Sequence, residues 1–403
     1  MKSFDSLIAG AGMWGCTLAR RLAEAGRKVL VLEKRAAVGG NVRCETDAGT
    51  GIEIHTYGSH IFHTHLPAVW DFVNRFVTFN GYQHKVLASF KGKVYHLPLG
   101  LTLINKFFEV ELKPGEVGAF LEEPVSDFMA ERLRRVGDSA PYRGTNREAL
   151  FEAFFSGYTC KQWGKTPEEI DPSVIRRVPV RMNYDTNYFR DYNQGIPLTG
   201  YNSLFERLLA HPNISVETEM TLMRVGTDLR AVRNPNSAQA PLEIDCGRPG
   251  RPPLPVYYSG PLDELFGYEF GALPWRTLRF ERETLPMADY QGTSVVNYPD
   301  IDVPYTRIHE FKHYHPEPGG AWGFGASKTV IMREYSAAWK PGDEPYYPIA
   351  NADSRALLAR YQAEAAKLNA EERGVRLIVG GRLGGYKYFD MDKSVESALK
   401  LEI

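Results

Sequence analysis

The start of the chain alternates between short apolar runs and a helical pattern. Residues 4–9 end in Leu-Ile-Ala, residues 14–25 have helical spacing and are followed by Gly26, and residues 28–32 contain Val-Leu-Val-Leu. A strand, a helix and a second strand in this order predict a parallel α/β sheet, in which both strands are buried.

Helical spacing continues through the middle of the chain. Apolar residues recur at helical intervals over residues 66–79, 121–136 and 149–155. This pattern predicts a mostly α-helical region, separate from the first sheet.

The second half of the chain changes character. Residues 233–255 contain Asn-Pro-Asn and Arg-Pro-Gly-Arg-Pro-Pro with little periodicity, which predicts a surface excursion between elements. Beyond it, residues 256–258 and 278–280 are predicted as strands of a mixed sheet. Fixed-period repeats and low-complexity tracts are absent from the sequence.

Composition and charge narrow the function classes. Hydrophobic residues make up 43% and charged residues 24% of the chain, which is ordinary for a globular protein. Lys plus Arg number 48 against 49 Asp plus Glu, so we do not expect a nucleic acid partner. The four cysteines form no C-x-x-C pair, and the sequence has no apolar run long enough for a membrane span. We therefore expect a cytoplasmic protein without membrane insertion.

A glycine motif follows the first predicted strand. Gly10, Gly12 and Gly15 fit the pattern G-x-G-x-x-G and open the predicted helix, and the second strand ends at Glu33. The glycines permit a tight turn, a close approach to a pyrophosphate and close helix–strand packing, while an acid at this spacing can reach a ribose hydroxyl. The motif predicts a dinucleotide site, and an ordinary glycine turn is the alternative.

Two further glycine segments favour FAD over NAD. Val38-Gly39-Gly40-Asn41 follows Glu33 and Lys34 closely, which suggests a second loop that folds back toward the cofactor. The late segment from Gly380 to Gly385 contains Gly381 and Arg382, and an arginine there can lie against the flavin or its phosphates. A turn between a strand and a terminal helix is the alternative for the late segment.

At 403 residues the chain is too long for one compact core, and we predict three domains. A Rossmann-like FAD-binding domain comprises residues 1–80, about 205–250 and 355–403. A helical domain with a mobile loop comprises about 100–170. A mixed or antiparallel β-sheet domain that binds substrate comprises about 81–99, 171–204 and 255–354.

Several separate motifs then occur in order along nearly the whole chain. They are Tyr57-Gly58-Ser59-His60-Ile61-Phe62-His63-Thr64, Val178-Pro179-Val180-Arg181, Ser259-Gly260-Pro261-Leu262-Asp263, Val303-Pro304-Tyr305-Thr306-Arg307, Pro345-Tyr346-Tyr347-Pro348, Gly381-Arg382-Leu383 and Asp390-Met391-Asp392. With these motifs the chain resembles the bacterial UDP-galactopyranose mutases, which interconvert UDP-galactopyranose and UDP-galactofuranose and use reduced FAD.

The resemblance implies roles for individual residues. The catalytic set would be Arg177 and Arg307, which grip the diphosphate, with Arg177 on a mobile loop, and His60 and His63 beside the flavin. The substrate-binding set would be Phe154, Tyr158, Trp163, Tyr188, Asn297, Tyr347, Tyr388 and His84. The cofactor-binding set is Gly10, Gly12, Gly15, Glu33, Lys34, Gly40, Asn41, Gly381, Arg382 and Asp390. His84 departs from the family, which more often has asparagine there.

Each of these assignments has a simpler alternative. Arginines near residue 177 suit a solvated face, and the aromatic residues between 151 and 163 suit packing in a core. His60 and His63 could be satisfied internal histidines; no companion ligand motif supports a metal.

The reaction that the resemblance implies transfers no net electrons, so the flavin needs another task. We hypothesise that reduced flavin N5 attacks the anomeric carbon as UDP leaves, and that the N5–sugar adduct lets the ring open and reclose. The product would supply galactofuranose for cell-surface polysaccharide. An FAD-dependent oxidoreductase of the amine oxidase or desaturase type, or a nucleotide-binding protein without catalysis, are the alternatives. A homo-oligomer is expected.

Overall fold

The computed structural model of the chain describes residues 4–134, 140–166, 180–246, 252–316, 323, 325–370 and 374–403. Its strands are β1 (Ser6–Ala9), β2 (Val29–Glu33), β3 (Cys44–Thr46), β4 (Glu53–His55), β5 (Phe62–Thr64), β6 (Val86–Phe90), β7 (Lys93–Leu97), β8 (Asn193–Gly195), β9 (Ile214–Thr218), β10 (Met220–Val225), β11 (Asp228–Arg233), β12 (Glu243–Asp245), β13 (Leu254–Tyr258), β14 (Trp275–Leu285), β15 (Val295–Asn297), β16 (Arg307–Glu310), β17 (Thr329–Ala338), β18 (Tyr347–Pro348) and β19 (Val375–Val379).

The α-helices are α1 (Met13–Glu24), α2 (Pro67–Asn74), α3 (Leu101–Phe108), α4 (Val117–Glu122), α5 (Asp127–Arg132), α6 (Asn146–Phe151), α7 (Gly157–Trp163), α8 (Gly200–Leu209), α9 (Leu262–Leu265), α10 (Ala352–Ala370), α11 (Gly381–Gly384) and α12 (Met391–Lys400). A π-helical segment, Glu152–Ser156, joins α6 to α7, and short 3₁₀ helices span Gly40–Val42 and Phe311–Tyr314.

A five-stranded parallel sheet has the order β19-β13-β1-β2-β9 and confirms the predicted Rossmann-like unit. Every residue of β1 and β2 is buried, as expected for parallel strands with both faces covered. The strand at 256–258 was predicted for the mixed sheet, and that assignment is wrong: β13 pairs with β1, with Val256 opposite Leu7. A short apolar run fits either sheet, so its partner could not be predicted from its pattern.

A seven-stranded sheet has the order β18-β14-β17-β16-β15-β6-β7 and contains the strand predicted at 278–280. Its pairs are antiparallel except β15 and β6, so the sheet is mixed, as predicted. β14 and β17 pair from Arg276 with Ala338 to Leu285 with Thr329. The predicted excursion at 233–255 is partly wrong, because β12 pairs with β11 in a three-stranded sheet.

The middle of the chain is helical, as predicted, but the single helix expected at 121–136 is wrong. Pro124 lies between α4 and α5, where its ring and missing N–H prevent a continuous helix. Ser126 then caps α5 by accepting a hydrogen bond from the Met129 amide. All four cysteines are buried and none is in a disulfide, and in the part of the chain that the structure describes no helix is long and apolar enough to cross a membrane.

Candidate active site

A cavity of about 680 Å³ lies where the carboxyl ends of β1, β2 and β13 meet the seven-stranded sheet. The parallel sheet contributes the glycine turns and Glu33, and the seven-stranded sheet contributes Asn297, Arg307 and Glu334. In open α/β sheets this edge is the usual place for a ligand.

The predicted glycine turn borders the cavity. Gly10 has φ +110°, a conformation that L side chains rarely adopt, and it leads from β1 into α1. Gly40, with φ +56°, folds back against Gly12, and a Cβ at Gly40 would lie 3.0 Å from the Gly12 Cα. Gly15 lies behind the turn, where a Cβ would be 1.9 Å from the Gly10 oxygen, which matches its predicted role in helix–strand packing.

The acidic end of β2 also lines the cavity. The Glu33 carboxylate is buried and accepts hydrogen bonds from the amides of Ala11, at 2.9 Å, and Arg35, at 3.0 Å. Lys34 pairs with Glu264 at 3.3 Å, and the Asn41 side-chain oxygen accepts from Arg35 at 2.7 Å. Lys34 and Asn41 both line the cavity with Glu33.

The late glycine segment reaches the same cavity. Gly381, at the start of α11, has φ +72°, and a Cβ there would lie 3.2 Å from the Ser259 side chain. Arg382 donates to the carbonyl oxygens of Tyr346, at 2.7 Å, and Phe389, at 3.1 Å. The predicted cofactor residues other than Gly15, including Asp390, therefore line one cavity, whose glycines leave no space for side chains where a dinucleotide would lie.

The two histidines of the predicted catalytic set, His60 and His63, both line this cavity. His60 Nδ1 donates to the Gly58 carbonyl at 2.7 Å, and burial lowers the pKa of His60 to about 4, so the ring is neutral at pH 7. His63 Nδ1 lies 2.6 Å from an oxygen of Asp191, and the ring stacks on Phe189 at 3.7 Å. A carboxylate at this distance fixes the orientation of an imidazole.

Arg307 forms an ion pair at the floor of the cavity. Its Nε donates to Glu334 Oε1 at 2.8 Å, and the Glu334 side chain is 2% exposed. Burial alone would raise the pKa of Glu334, but the Arg307 guanidinium and His309 lower it to about 2. The contact occupies Nε and leaves the terminal amino groups of Arg307 for an anion.

The predicted substrate residues that line the cavity are Tyr158, Trp163, Tyr188, Asn297, Tyr347, Tyr388 and His84. Burial raises the pKa of Tyr158 to about 12 and also raises that of Tyr347, so both hydroxyls stay protonated donors at neutral pH. The side-chain oxygen of Asn297 is buried and has no hydrogen-bond partner among the described residues, and Tyr347 stacks on Tyr388 at 5.8 Å.

One predicted substrate residue, Phe154, does not line the cavity. Phe154 lies in the core, edge-on to Tyr95 at 5.1 Å and to Phe107 at 5.2 Å, so the structure places it away from the other predicted substrate-binding residues. Phe154 belongs to the π-helical segment. This segment packs against α7 and β6, so the Phe154 side chain is buried in the core between them. Arg177 lies outside the described residues.

Glu334, Asp191 and Arg35 were not assigned to the site from the sequence, although all three lie in it or contact its residues. Glu334 follows the run Thr-Val-Ile-Met-Arg in β17, and an acid within a buried strand was a signal that could have identified it. Asp191 lies in a polar stretch with no such contrast, and its contact with His63 spans 128 residues.

Comparisons with known proteins agree with this geometry. The sequence profile of a family described as UDP-galactopyranose mutase matches residues 153–388, and that of an NAD(P)-binding Rossmann-like domain matches residues 8–76. A crystal structure of a reduced UDP-galactopyranose mutase has a TM-score of 0.64 and 16% identity, and covers 98% of this chain and 94% of that one. A putative protoporphyrinogen oxidase from Exiguobacterium sp. 255-15 has a TM-score of 0.52, 14% identity and coverages of 99% and 98%. These structural likenesses show the fold alone.

Two curated relatives match almost end to end. A probable UDP-galactopyranose mutase of Klebsiella pneumoniae is 38% identical over 400 residues, which are 99% of this chain and 94% of that protein. A dTDP-fucopyranose mutase of Escherichia coli is 38% identical over 401 residues, with coverages of 98% and 96%. On the family profile and the full-length identity, the chain belongs to the UDP-galactopyranose mutase family.

Proposed function

We propose that this chain is an isomerase that interconverts UDP-galactopyranose and UDP-galactofuranose, with FAD in its reduced form. The observation that carries the proposal is one cavity shared by a dinucleotide cradle and a cationic, tyrosine-lined pocket. A flavin oxidoreductase explains the cradle but gives Arg307 and the tyrosines no task.

The residues of the cradle fit a flavin dinucleotide. Gly12 and Gly40 bring two backbones close together, and Gly381 adds a third from α11, so the walls are main chain where a pyrophosphate would lie. Glu33 would accept from a ribose hydroxyl through lone pairs that its two backbone contacts leave. Reduced flavin, when bound, supplies nucleophilic catalysis at the anomeric carbon without net electron transfer.

Arg307 supports recognition of a nucleoside diphosphate. Glu334 holds the Arg307 guanidinium in place. The planar cation is therefore already oriented when negative charge builds on the departing diphosphate, and it need not reorganise. Tyr158 and Tyr347 lie within the field of this charge and remain protonated donors. Arg177 would supply a second guanidinium, as the family resemblance implies.

A neutral histidine beside the flavin, His60, suits a reaction that needs no net proton. Formation of the furanose moves one proton from O4 of the sugar to O5, so protons are exchanged within the substrate. His60, neutral at pH 7 and fixed by the Gly58 carbonyl, would shield and orient the cofactor without carrying charge.

The direct test is chromatography of UDP-galactofuranose after incubation with dithionite-reduced holoenzyme, and we expect UDP-galactopyranose to accumulate. Oxidised enzyme is the control and should be far slower. Because a dTDP-fucopyranose mutase is equally similar in sequence, dTDP-fucopyranose is assayed in parallel. If only dTDP-fucopyranose is converted, it becomes the substrate in place of UDP-galactopyranose. If the substrate reduces the flavin and oxygen is consumed, the proposal is overturned in favour of an oxidoreductase.

A further inference from the structure

Arg181, the last residue of the motif Val178-Pro179-Val180-Arg181, is a buried cation that has no role in the reaction proposed above. Its side chain is 8% exposed, whereas arginine side chains in folded proteins are mostly exposed. Burial removes a guanidinium from water, and this is costly unless its N–H groups find other acceptors. The positions of those acceptors therefore indicate what the burial of Arg181 achieves.

Every acceptor of the Arg181 side chain among the described residues lies in residues 185–188. Nη1 donates to the Asn187 carbonyl oxygen at 2.5 Å and to Asp185 Oδ2 at 3.2 Å, and Nη2 donates to the Tyr188 carbonyl oxygen at 3.0 Å. Because a guanidinium is planar and its N–H bonds have fixed directions, the two carbonyl groups have to turn toward it. Arg181 thus folds residues 185–188 into a loop around its own side chain.

The chain beyond this loop is anchored at two further points. The Tyr188 amide donates to the His84 carbonyl oxygen at 2.8 Å. A few residues later β8 pairs with β5, the strand that contains His63. Residues 188–193 are therefore held at both ends, by Arg181 and by a strand pair.

The residues held in this way contact His63. Phe189 stacks on the His63 ring, with the centroids 3.7 Å apart and 14° between the planes, and Asp191 Oδ2 lies 2.6 Å from His63 Nδ1. Phe189 also stacks on His84 at 5.5 Å. An aromatic ring against one face and a carboxylate at one edge set the orientation of the imidazole. Tyr188, Phe189 and both histidines line the cavity.

We propose, on the basis of the function proposed above, that Arg181 is a positioning residue for the reaction. By folding residues 185–188, it places Phe189 and Asp191 against His63 and so sets the orientation of that ring in the cavity. Arg181 does not itself line the cavity, so it acts only through these residues. Without the guanidinium the loop loses its first anchor, and the His63 ring can turn.

A purely structural arginine would stabilise the fold without changing the His63 ring or the kinetics of the folded enzyme. Arg132 provides this comparison. It is also part-buried, and it donates to the Phe107 carbonyl oxygen in α3 at 3.1 Å and to the Tyr95 hydroxyl. None of these three residues lines the cavity. Arg132→Met is therefore the matched control for Arg181→Met, and both changes should lower the free energy of unfolding.

The first test reads the His63 ring directly and needs no substrate. In FAD-bound, oxidised protein with ¹³C-labelled histidines, a phenyl ring stacked at 3.7 Å should move the His63 ring-proton signals upfield. His63→Asn assigns these signals, and Phe189→Leu shows that Phe189 causes the shift. We expect Arg181→Met to lose most of the shift and Arg132→Met to keep it. An unchanged His63 signal in folded, flavin-bound Arg181→Met overturns the proposal.

Kinetics test whether this orientation matters for the reaction. We expect kcat/KM to fall about tenfold in Arg181→Met and to stay near the wild-type value in Arg132→Met. Arg181→Lys keeps the charge but cannot direct N–H bonds to both carbonyl groups, so it should lose nearly as much. Asp185→Asn weakens only an ion pair whose carboxylate is 42% exposed, so it should lose no more than about twofold. Wild-type kcat/KM in Arg181→Met or Arg181→Lys, or a tenfold loss in Asp185→Asn, contradicts positioning through the main chain.

Failure of the proposed function gives a different result. Wild-type protein would then convert neither UDP-galactofuranose nor dTDP-fucopyranose, whichever arginine is replaced. The His63 spectra would still decide whether Arg181 sets the orientation of the ring.

Discussion

We predict that, in the described part of the site, diphosphate binding depends chiefly on Arg307. Replacement of Arg307 by Ala leaves Glu334 buried without its cation, and replacement by Lys keeps a charge but loses the planar fork. We expect kcat/KM to fall about 100-fold or more in Arg307→Ala and less in Arg307→Lys, with bound flavin retained in both. Steady-state rates and the flavin absorbance are the measurements, with Arg282→Ala as a surface control; wild-type rates would refute the assignment.

Glu334 gives the stability of the fold a pH dependence. Its pKa is about 2 in the folded chain against an ordinary value of 4.5, so its contribution is complete above pH 4.5 and is lost as the pH falls toward 2. That contribution is on the order of 3 kcal/mol, so the free energy of unfolding in urea should fall more steeply from pH 6 to pH 3 in wild type than in Glu334→Gln. Glu283→Gln, at an exposed pair, should behave as wild type.

At the scale of single residues, the sequence predicted which residue types line the cavity. It did not predict the partners that hold these side chains in place. Arg307 and His63 belong to motifs, so resemblance identified them. Their partners, Glu334 and Asp191, are fixed by tertiary contacts across 27 and 128 residues, which no local pattern records.

Among the elements, the glycine turns make the sharpest demand on backbone geometry. Gly40→Ala introduces a Cβ 3.0 Å from Gly12 Cα at φ +56°, whereas Gly226→Ala has a similar φ of +61° with nothing within 4 Å. Both changes should cost about 1 kcal/mol through backbone strain, but only Gly40→Ala should weaken flavin binding. Flavin content after dialysis distinguishes them, and equal retention would show that the cradle does not lie there.

Lys161, in α7, binds the loop that leads into β16. Its Nζ lies 2.5 to 3.0 Å from the carbonyl oxygens of Tyr298, Asp300, Val303 and Tyr305, which share its three N–H donors. Lys161→Met should lower the free energy of unfolding by roughly 3 kcal/mol, because buried carbonyls lose their donor. Urea unfolding measures this, Lys165→Met at an exposed site is the control, and equal midpoints would contradict it.

The periodic patterns predicted the existence of elements better than their partners. β1, α1 and β2 follow directly from the first forty residues, because burial on both faces leaves a continuous apolar run. The partner of β13 needed the fold, since it depends on long-range pairing. The division of the helix did not, because Pro124 is itself a sequence signal for a helix end, which the helical spacing on both sides obscured.

For the whole molecule, the cavity lies between two sheets, so a bound cofactor should stabilise both. The flavin-free protein should melt at a lower temperature, and FAD at 100 times its dissociation constant should restore about 2.7 kcal/mol. NAD is the control and should shift the midpoint little. A larger shift with NAD than with FAD would reverse the choice of cofactor.

The domain boundaries and the homo-oligomer remain predictions, as does the cytoplasmic location. The family and the Rossmann-like fold are confirmed. Sequence reasoning reached them because a nucleotide cradle and a family motif are local, whereas the assembly of subunits depends on surfaces that a single chain does not reveal.

The contacts of Lys161 with residues 298–305, the loop that leads into β16, have a consequence for how this loop can change in evolution. Because the ammonium binds only main-chain oxygens, residues 298–305 can exchange their side chains without losing their anchor. A loop anchored in this way can diversify at residues 299–302, ahead of the family motif that ends at Arg307, while the position of the guanidinium is inherited unchanged.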